Sequence, residues 1–203
     1  MTSLERIASL VTAVEHVCRQ HIVGDIAECG VWKGGSMMAI ARTLLSLGDT
    51  SRHLYLYDTF QGMPPPEISD ISAGGISADE LLRDTPRGQG VWCEAGLDEV
   101  KRNLATTGYP IEKIHFIQGK VEDTIPKTIP NTLALLRLDT DWYSSTLHEL
   151  NFLYPNLVCG GILFIDDYGA WQGARKAVDE YFSTMLPVYL HRVDNTGRVL
   201  VKP

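Results

Sequence analysis

Two pairs of aspartates stand where the chain changes character. Asp139 and Asp141 follow the apolar run Leu133 to Leu138, and Asp166 and Asp167 follow Gly161 to Ile165. Both runs read as buried strands. If those strands are neighbours, the acids meet at one rim. Carboxylates at close range repel, and each raises the pKa of the others. A divalent cation removes that conflict. Oxygen-only ligands favour a hard ion, Mg²⁺ first, with Mn²⁺ and Ca²⁺ as alternatives. Such an ion stabilises a deprotonated hydroxyl, and a nearby carboxylate can take the proton. Asp141, two residues beyond Asp139, is the candidate base. His148 is its rival, although a histidine inside an expected helix is more often structural. The plain alternative for Asp166-Asp167 is a strand end that opens a turn with Tyr168-Gly169.

A second constellation is Glu28-Cys29-Gly30-Val31-Trp32-Lys33-Gly34-Gly35-Ser36, between an expected strand and an expected helix. Glycines let backbone approach a ligand, and a helix start offers free N–H groups to an anionic end. The spacing is E-x-G-x-x-x-G, not the G-x-G-x-x-G of dinucleotide sites. A pyrophosphate would be repelled by Glu28, whereas an ammonium and a sulfonium would not. S-adenosylmethionine, with a carboxylate for the helix start, fits this turn. Gly30, Gly34, Gly35 and Ser36 are its expected backbone contacts. Asp58 ends the next strand, where an acid can accept both ribose hydroxyls, with Thr59 beside it. Gly119, Val121 and Glu122 follow the third strand and would lie beside the adenine; Glu122 reads equally as a solvated acid. Methyl transfer to a hydroxyl then joins the two constellations.

The elements that must position these groups alternate. The expected strands are Asp25–Cys29, 53–58, Ile114–Gln118, Leu133–Leu138 and 161–165. Helices are expected at 36–47, 97–106 and 144–157, with another around Ala174 to Phe182. An opening helix carries Ile7, Leu10, Val11, Val14 and Val17 at helical period, with Thr2 and Glu5 at capping-box spacing. Residues 188–193 and 198–201 flank Asp194-Asn195-Thr196-Gly197, which is hairpin chemistry. The fold expected is α/β: a doubly wound, mostly parallel seven-stranded sheet with a C-terminal antiparallel hairpin, Rossmann-like. One domain is expected over residues 1–203. Residues 61–96, with three consecutive prolines and Gly74-Gly75, form a long connection suited to a lid or substrate loop.

Composition excludes several classes. The 203 residues carry a net charge of −7, so a duplex-binding surface is not expected. No apolar run reaches the length of a membrane span, and the N-terminus lacks a leader's apolar core. The four cysteines form no C-x-x-C pair, so they read as buried thiols in the cytoplasm. Trp32, Trp142, Tyr143, Tyr168 and Trp171 are candidates for a pocket wall or for core. Arg137 is a charge within a buried strand and requires a partner.

The stretches Gly24 to Ser36, Asp58-Thr59-Phe60-Gln61-Gly62-Met63, Leu136 to Asp141 and Gly160 to Gly169 closely resemble the macrocin O-methyltransferase (TylF) family, within the class I methyltransferases. The resemblance runs from about residue 20 to 182. It implies a Mg²⁺-dependent enzyme that methylates sugar hydroxyls on macrolides and aminocoumarins. It also implies Asp139, Asp166 and Asp167 as metal ligands and Asp141 as general base, with Glu28, Gly30, Ser36 and Asp58 contacting the methyl donor. The more distant catechol O-methyltransferase design places a lysine three residues after its first metal aspartate. Trp142 stands there, so a lysine base is not carried over. Family members have a longer N-terminal region that forms a lid and a dimer contact. This chain begins almost at the core, which makes residues 61–96 the lid candidate and leaves a homodimer open.

The expected partner is a small-molecule hydroxyl acceptor. Two other readings compete. Asp139-Thr140-Asp141 has the D-x-D form of a metal-dependent glycosyltransferase, and a cofactor pocket without turnover would make a binding module. The glycine turn and terminal hairpin oppose the first, and the full acidic set opposes the second.

Overall fold

Asp25–Cys29 (β1), Leu54–Asp58 (β2), Ile114–Gln118 (β3), Leu133–Leu138 (β4), Leu157–Ile165 (β5), His191–Arg192 (β6) and Arg198–Val201 (β7) form one sheet in the computed structural model. The structure describes residues 2–185 and 187–203. The strand order is β3-β2-β1-β4-β5-β7-β6. The first five strands run parallel, and β7 pairs antiparallel with both β5 and β6. β4 is buried at every position, as expected of a central parallel strand covered on both faces.

The order reverses between β1 and β4, and ligand crevices in open sheets form at such a switch point. Register decides what meets there. Cys29 pairs with Leu138, and Leu138 with Ile165. Gly30, Asp139 and Asp166 therefore leave their strands at one level. The ladder continues into these residues: Asp139 N–H donates to the Cys29 carbonyl at 2.8 Å, and Asp166 N–H to the Leu138 carbonyl at 2.9 Å.

Helices cover both faces. Leu4–Arg19 (α1), Gly35–Ser46 (α2) and Leu97–Ala105 (α4) bury Val14, Ile40, Leu44, Val100 and Leu104 in one core. Tyr143–Phe152 (α6), Gln172–Ser183 (α7) and the short Val121–Thr124 (α5) bury Leu150, Val178 and Phe182 in the other. α1 is capped by Ser3, whose hydroxyl accepts from Arg6 N–H, not by Thr2 as its spacing with Glu5 predicts. α6 ends at Phe152, five residues short of the expected boundary. Pro155 in the following 3-10 turn has no N–H to continue a helix. β5 consequently starts at Leu157, which pairs with Leu133.

Residues 61–96 are more ordered than a plain loop. They contain Ala78–Asp84 (α3), capped by Ser77, whose hydroxyl accepts from Glu80 N–H at 3.2 Å. That Ser-x-x-Glu spacing is the readable signal for α3. Asp70, fully buried, ties this segment down: its carboxylate accepts from Tyr143 N–H at the start of α6 and from Glu67 N–H.

The expected strand at 188–193 shrinks to His191–Arg192, because β7 offers a ladder only to that pair. Of the cysteines, only Cys29 is buried; Cys159 is exposed, and Cys18 and Cys93 are half-buried. No helix among the described residues is long and apolar enough to cross a membrane.

Asp194 organises the hairpin turn. Its carboxylate accepts from Thr196 and Gly197 N–H and from the Ser3 hydroxyl, and it pairs with Arg6 at 2.9 Å, which stitches the hairpin to α1. Burial opposes its charge, but the Gly197, Ser3, Thr196 and Arg6 donors outweigh that and hold the carboxyl well below its ordinary range. The depressed folded value means this stabilisation is complete above the unfolded pKa and is lost as pH falls. Asp194→Ala is expected to lose about 2 kcal/mol at neutral pH. In urea unfolding, the gap to the parent should shrink below about pH 4.

Candidate active site

A cavity of about 690 Å³ opens at the carboxyl ends of β1, β2, β3, β4 and β5. Gly30, Gly35, Ser36, Asp58, Thr59, Gly119, Val121, Glu122, Asp139, Asp141, Asp166 and Asp167 all line it. Of the candidate site residues, Glu28 and Gly34 do not.

Gly30 shows why no side chain is tolerated at the turn. Its φ is +81°, and a Cβ there would stand 1.9 Å from the Asp139 carbonyl oxygen. The backbones at the ends of β1 and β4 touch at this point. Gly34 serves packing instead of contact: it caps α2 with φ +83°, and a Cβ would meet Leu104 at 2.6 Å. Gly34, expected as a backbone contact, lies outside the cavity lining and against Leu104 of α4.

Asp58 shapes the turn it was expected only to face. One carboxylate oxygen accepts from Val31 N–H at 2.6 Å and Trp32 N–H at 2.9 Å, and the other accepts from Phe60 N–H. Trp32 is held at φ +46° in this bend. Two donors fill the lone-pair sites of Oδ2, so acceptor capacity toward a ligand rests on Oδ1, whose second contact, from the Thr59 hydroxyl, is long at 3.4 Å.

Glu28 lies behind the wall, 1% exposed, and Arg137 beside it is 2% exposed. Arg137 finds three partners: Glu28 at 2.5 Å, Asp139 at 2.6 Å and Asp166 at 2.5 Å. This supplies the partner that the buried charge in β4 demanded, and it places Glu28 beside Arg137, outside the residues that line the cavity. Burial still raises the Glu28 carboxyl to about 7, against the pull of Arg137. Arg6 of α1 also reaches Asp166.

One carboxylate oxygen from each of Asp139, Asp166 and Asp167 lies within 4.8 Å of the others. Burial raises the Asp139 and Asp167 carboxyls well above their ordinary range, opposed by Arg137. Asp167 Oδ2 is buried and has no hydrogen-bond partner among the described residues. Clustered hard oxygens with an orphaned acceptor fit a hard divalent cation.

Asp141 sits at φ +68°, a costly conformation for a non-glycine residue. Trp171 Nε1 donates to its Oδ1 at 2.6 Å. Burial first, and Asp139 second, raise its carboxyl. Nothing in the sequence marked Trp171 as the group that aims Asp141, because the two meet only after α7 docks.

The other aromatic candidates divide. Trp32 and Trp171 line the cavity. Trp142 is core: it packs edge-on to Trp171 at 4.9 Å, and its Nε1 donates to the Pro64 carbonyl. Tyr143 and Tyr168 turn to Glu180 and Asp179. His148 is not a lining residue and packs on Phe152, so it is no rival to Asp141. From the 61–96 segment, Met63, Pro64, Val91 and Cys93 line the cavity.

Glu149 escaped sequence reading altogether. It is fully buried beneath the site, where its Oε1 accepts from the Thr140 hydroxyl at 2.9 Å and its Oε2 has no partner among the described residues. Burial raises its carboxyl well above the ordinary 4.5. The folded state keeps a proton that the unfolded chain releases, so this group's contribution falls as pH rises above about 4.5. Glu149→Gln should therefore flatten the decline of Tm between about pH 5 and pH 8 relative to the parent.

This sheet order, with donor-turn glycines at β1 and an antiparallel β7 beside β5, is the fold of the class I methyltransferases. The solved O-methyltransferase NovP superposes with a TM-score of 0.85 at 28% identity, over 98% of this chain and 80% of that one. The macrocin-O-methyltransferase (TylF) family matches residues 1–202, and the chain belongs to that family. Among curated relatives, 8-demethyl-8-(2,3-dimethoxy-alpha-L-rhamnosyl)-tetracenomycin-C 4'-O-methyltransferase of Streptomyces olivaceus is 35% identical over 181 residues. Demethyldecarbamoylnovobiocin O-methyltransferase of Streptomyces niveus is 32% identical over 181 residues. Each alignment covers 89% of this chain but 66% of the relative's length.

Proposed function

We propose that this chain transfers a methyl group from S-adenosylmethionine to a hydroxyl of a sugar carried by a natural product, with a divalent cation, Mg²⁺ first, at the acidic cluster. One observation carries the reading. The glycine turn with Asp58 and the acids Asp139, Asp141, Asp166 and Asp167 line a single cavity. The relatives support the acceptor class, since one is named for 4'-O-methylation of a rhamnosyl-tetracenomycin and another for O-methylation of demethyldecarbamoylnovobiocin.

In this reading Gly30, Gly35 and Ser36 present backbone to the methionine portion of the donor, and Asp58 accepts from the ribose hydroxyls. Thr59, Gly119, Val121 and Glu122 line the adenosine side. Asp139, Asp166 and Asp167 would hold the cation, and the chemistry it would supply is a positive charge that lowers the pKa of the acceptor hydroxyl. Asp141 receives the proton of that hydroxyl at its carboxylate. Trp171 fixes the side chain of Asp141, and the ring walls the pocket with Trp32. Met63, Pro64 and Val91 roof the cavity and exclude water. The partner is a small molecule, not nucleic acid, in keeping with the acidic net charge. A reaction fed by S-adenosylmethionine belongs in the cytoplasm.

The test is mass spectrometry of deoxysugar glycosides and small polyols incubated with the protein, S-adenosylmethionine and Mg²⁺. Gain of one methyl group on an acceptor oxygen is expected. Thermal shift with S-adenosylhomocysteine and with UDP separates the donor classes. Stabilisation by UDP alone would reject the reading in favour of a nucleotide-sugar enzyme.

A further inference from the structure

Arg137 is the one basic residue within β4, and its guanidinium bridges three strand ends. Glu28 belongs to β1, Asp139 follows β4 and Asp166 follows β5, and all three carboxylates lie at 2.5–2.6 Å from its nitrogens. The planar fork of arginine can satisfy several acceptors at fixed angles, which the single ammonium of lysine cannot. Without this charge, Glu28 would be a buried carboxylate that has lost its cation beside like-charged neighbours, and Asp166 would keep only Arg6, a costly arrangement. The bonds also engage Asp139 Oδ2 and Asp166 Oδ1, and so fix the orientation of both carboxylates.

We propose that Arg137 is the resident counter-cation of the acidic cluster, a positioning residue that keeps the cluster folded and aimed at the cavity in the absence of a divalent ion. The proposal rests on the cation site assigned above. It has two physical consequences. The folded state of the parent does not depend on divalent ions, because an internal cation offsets Glu28, Asp139 and Asp166. A divalent ion then enters a site whose negative charge is already reduced, so it binds less tightly than the carboxylate count implies. Removing Arg137 transfers the counter-ion role to the solvent ion.

The experiment compares thermal unfolding of the parent, Arg137→Met and Arg137→Lys, each in EDTA and in a Mg²⁺ titration, with calorimetry of Mg²⁺ binding. The parent should bind Mg²⁺ and gain little in Tm from it. Arg137→Met should fall by roughly 10 °C in EDTA and recover much of that fall in Mg²⁺. Its apparent affinity should be about tenfold or more tighter than the parent's. Arg137→Lys, which keeps the charge but loses the fork, should show an intermediate Mg²⁺ gain. It carries the test if the methionine variant fails to fold. Equal Tm losses in EDTA and in Mg²⁺ for both variants would overturn the proposal while leaving the cation site standing. A parent that binds no Mg²⁺, Mn²⁺ or Ca²⁺ would instead remove the cation site itself, and this inference with it.

Discussion

Asp141→Asn is expected to lower kcat by about 10² to 10⁴ while leaving KM for the acceptor within a few-fold. The amide keeps the size and the acceptor oxygen for Trp171 Nε1, so the strained loop at φ +68° has little reason to move. It cannot take a proton from the acceptor hydroxyl. Asp141 is not one of the three carboxylates clustered for a cation, so Mg²⁺ binding should persist. The comparison variant is Trp171→Phe, which keeps most of the ring but leaves Asp141 Oδ1 without its 2.6 Å donor. It should lower kcat by a smaller factor, about tenfold, through loss of aim and not of chemistry. Steady-state kinetics with S-adenosylhomocysteine binding as a control checks both. An Asp141→Asn enzyme with unchanged kcat would place the base elsewhere.

Chelation is the second large effect. EDTA should reduce turnover by at least about a thousandfold, since a cation at a developing alkoxide supplies several kcal/mol. Mg²⁺ added back should restore it. S-adenosylhomocysteine affinity should change little, because Asp58 ends β2 while Asp166 and Asp167 follow β5, with β1 and β4 between them, and the N–H groups of Val31 and Trp32 that shape the turn bond to Asp58 and not to the acidic cluster. Asp167→Asn should mimic chelation most closely. The ion pairs of Arg137 are made with Glu28, Asp139 and Asp166, so substitution at Asp167 leaves that network intact. Turnover in EDTA equal to turnover in Mg²⁺ would reject the cation requirement.

Much of this molecule was legible in one dimension. Strand and helix alternation follows from hydrophobic period, and the strands β1, β3, β4 and β7 stand where the apolar runs place them. The hairpin followed from Asp-Asn-Thr-Gly, because that turn has few other solutions. The acids could be identified as chemical candidates because a charged residue directly after a buried strand needs a reason. Boundaries were less legible. α6 ended early and β6 shrank, since those limits depend on Pro155 and on how far β7 reaches, not on local propensity.

What the sequence alone determined was an inventory: a glycine turn, acids at strand ends and an unexplained arginine. Tertiary structure decided their roles. The parallel register at the switch point brings Gly30, Asp139 and Asp166 to one level. It also sets Glu28 and Arg137 side by side across β1 and β4, at positions far apart in the chain. Glu28 thus became the partner of Arg137 and not a wall of the cavity, and Trp171 became the donor that aims Asp141. Such pairings depend on strand order and helix docking, which emerge from burying both faces of the sheet at once. No local pattern encodes them, because the energy that selects them is shared among residues with no proximity in sequence.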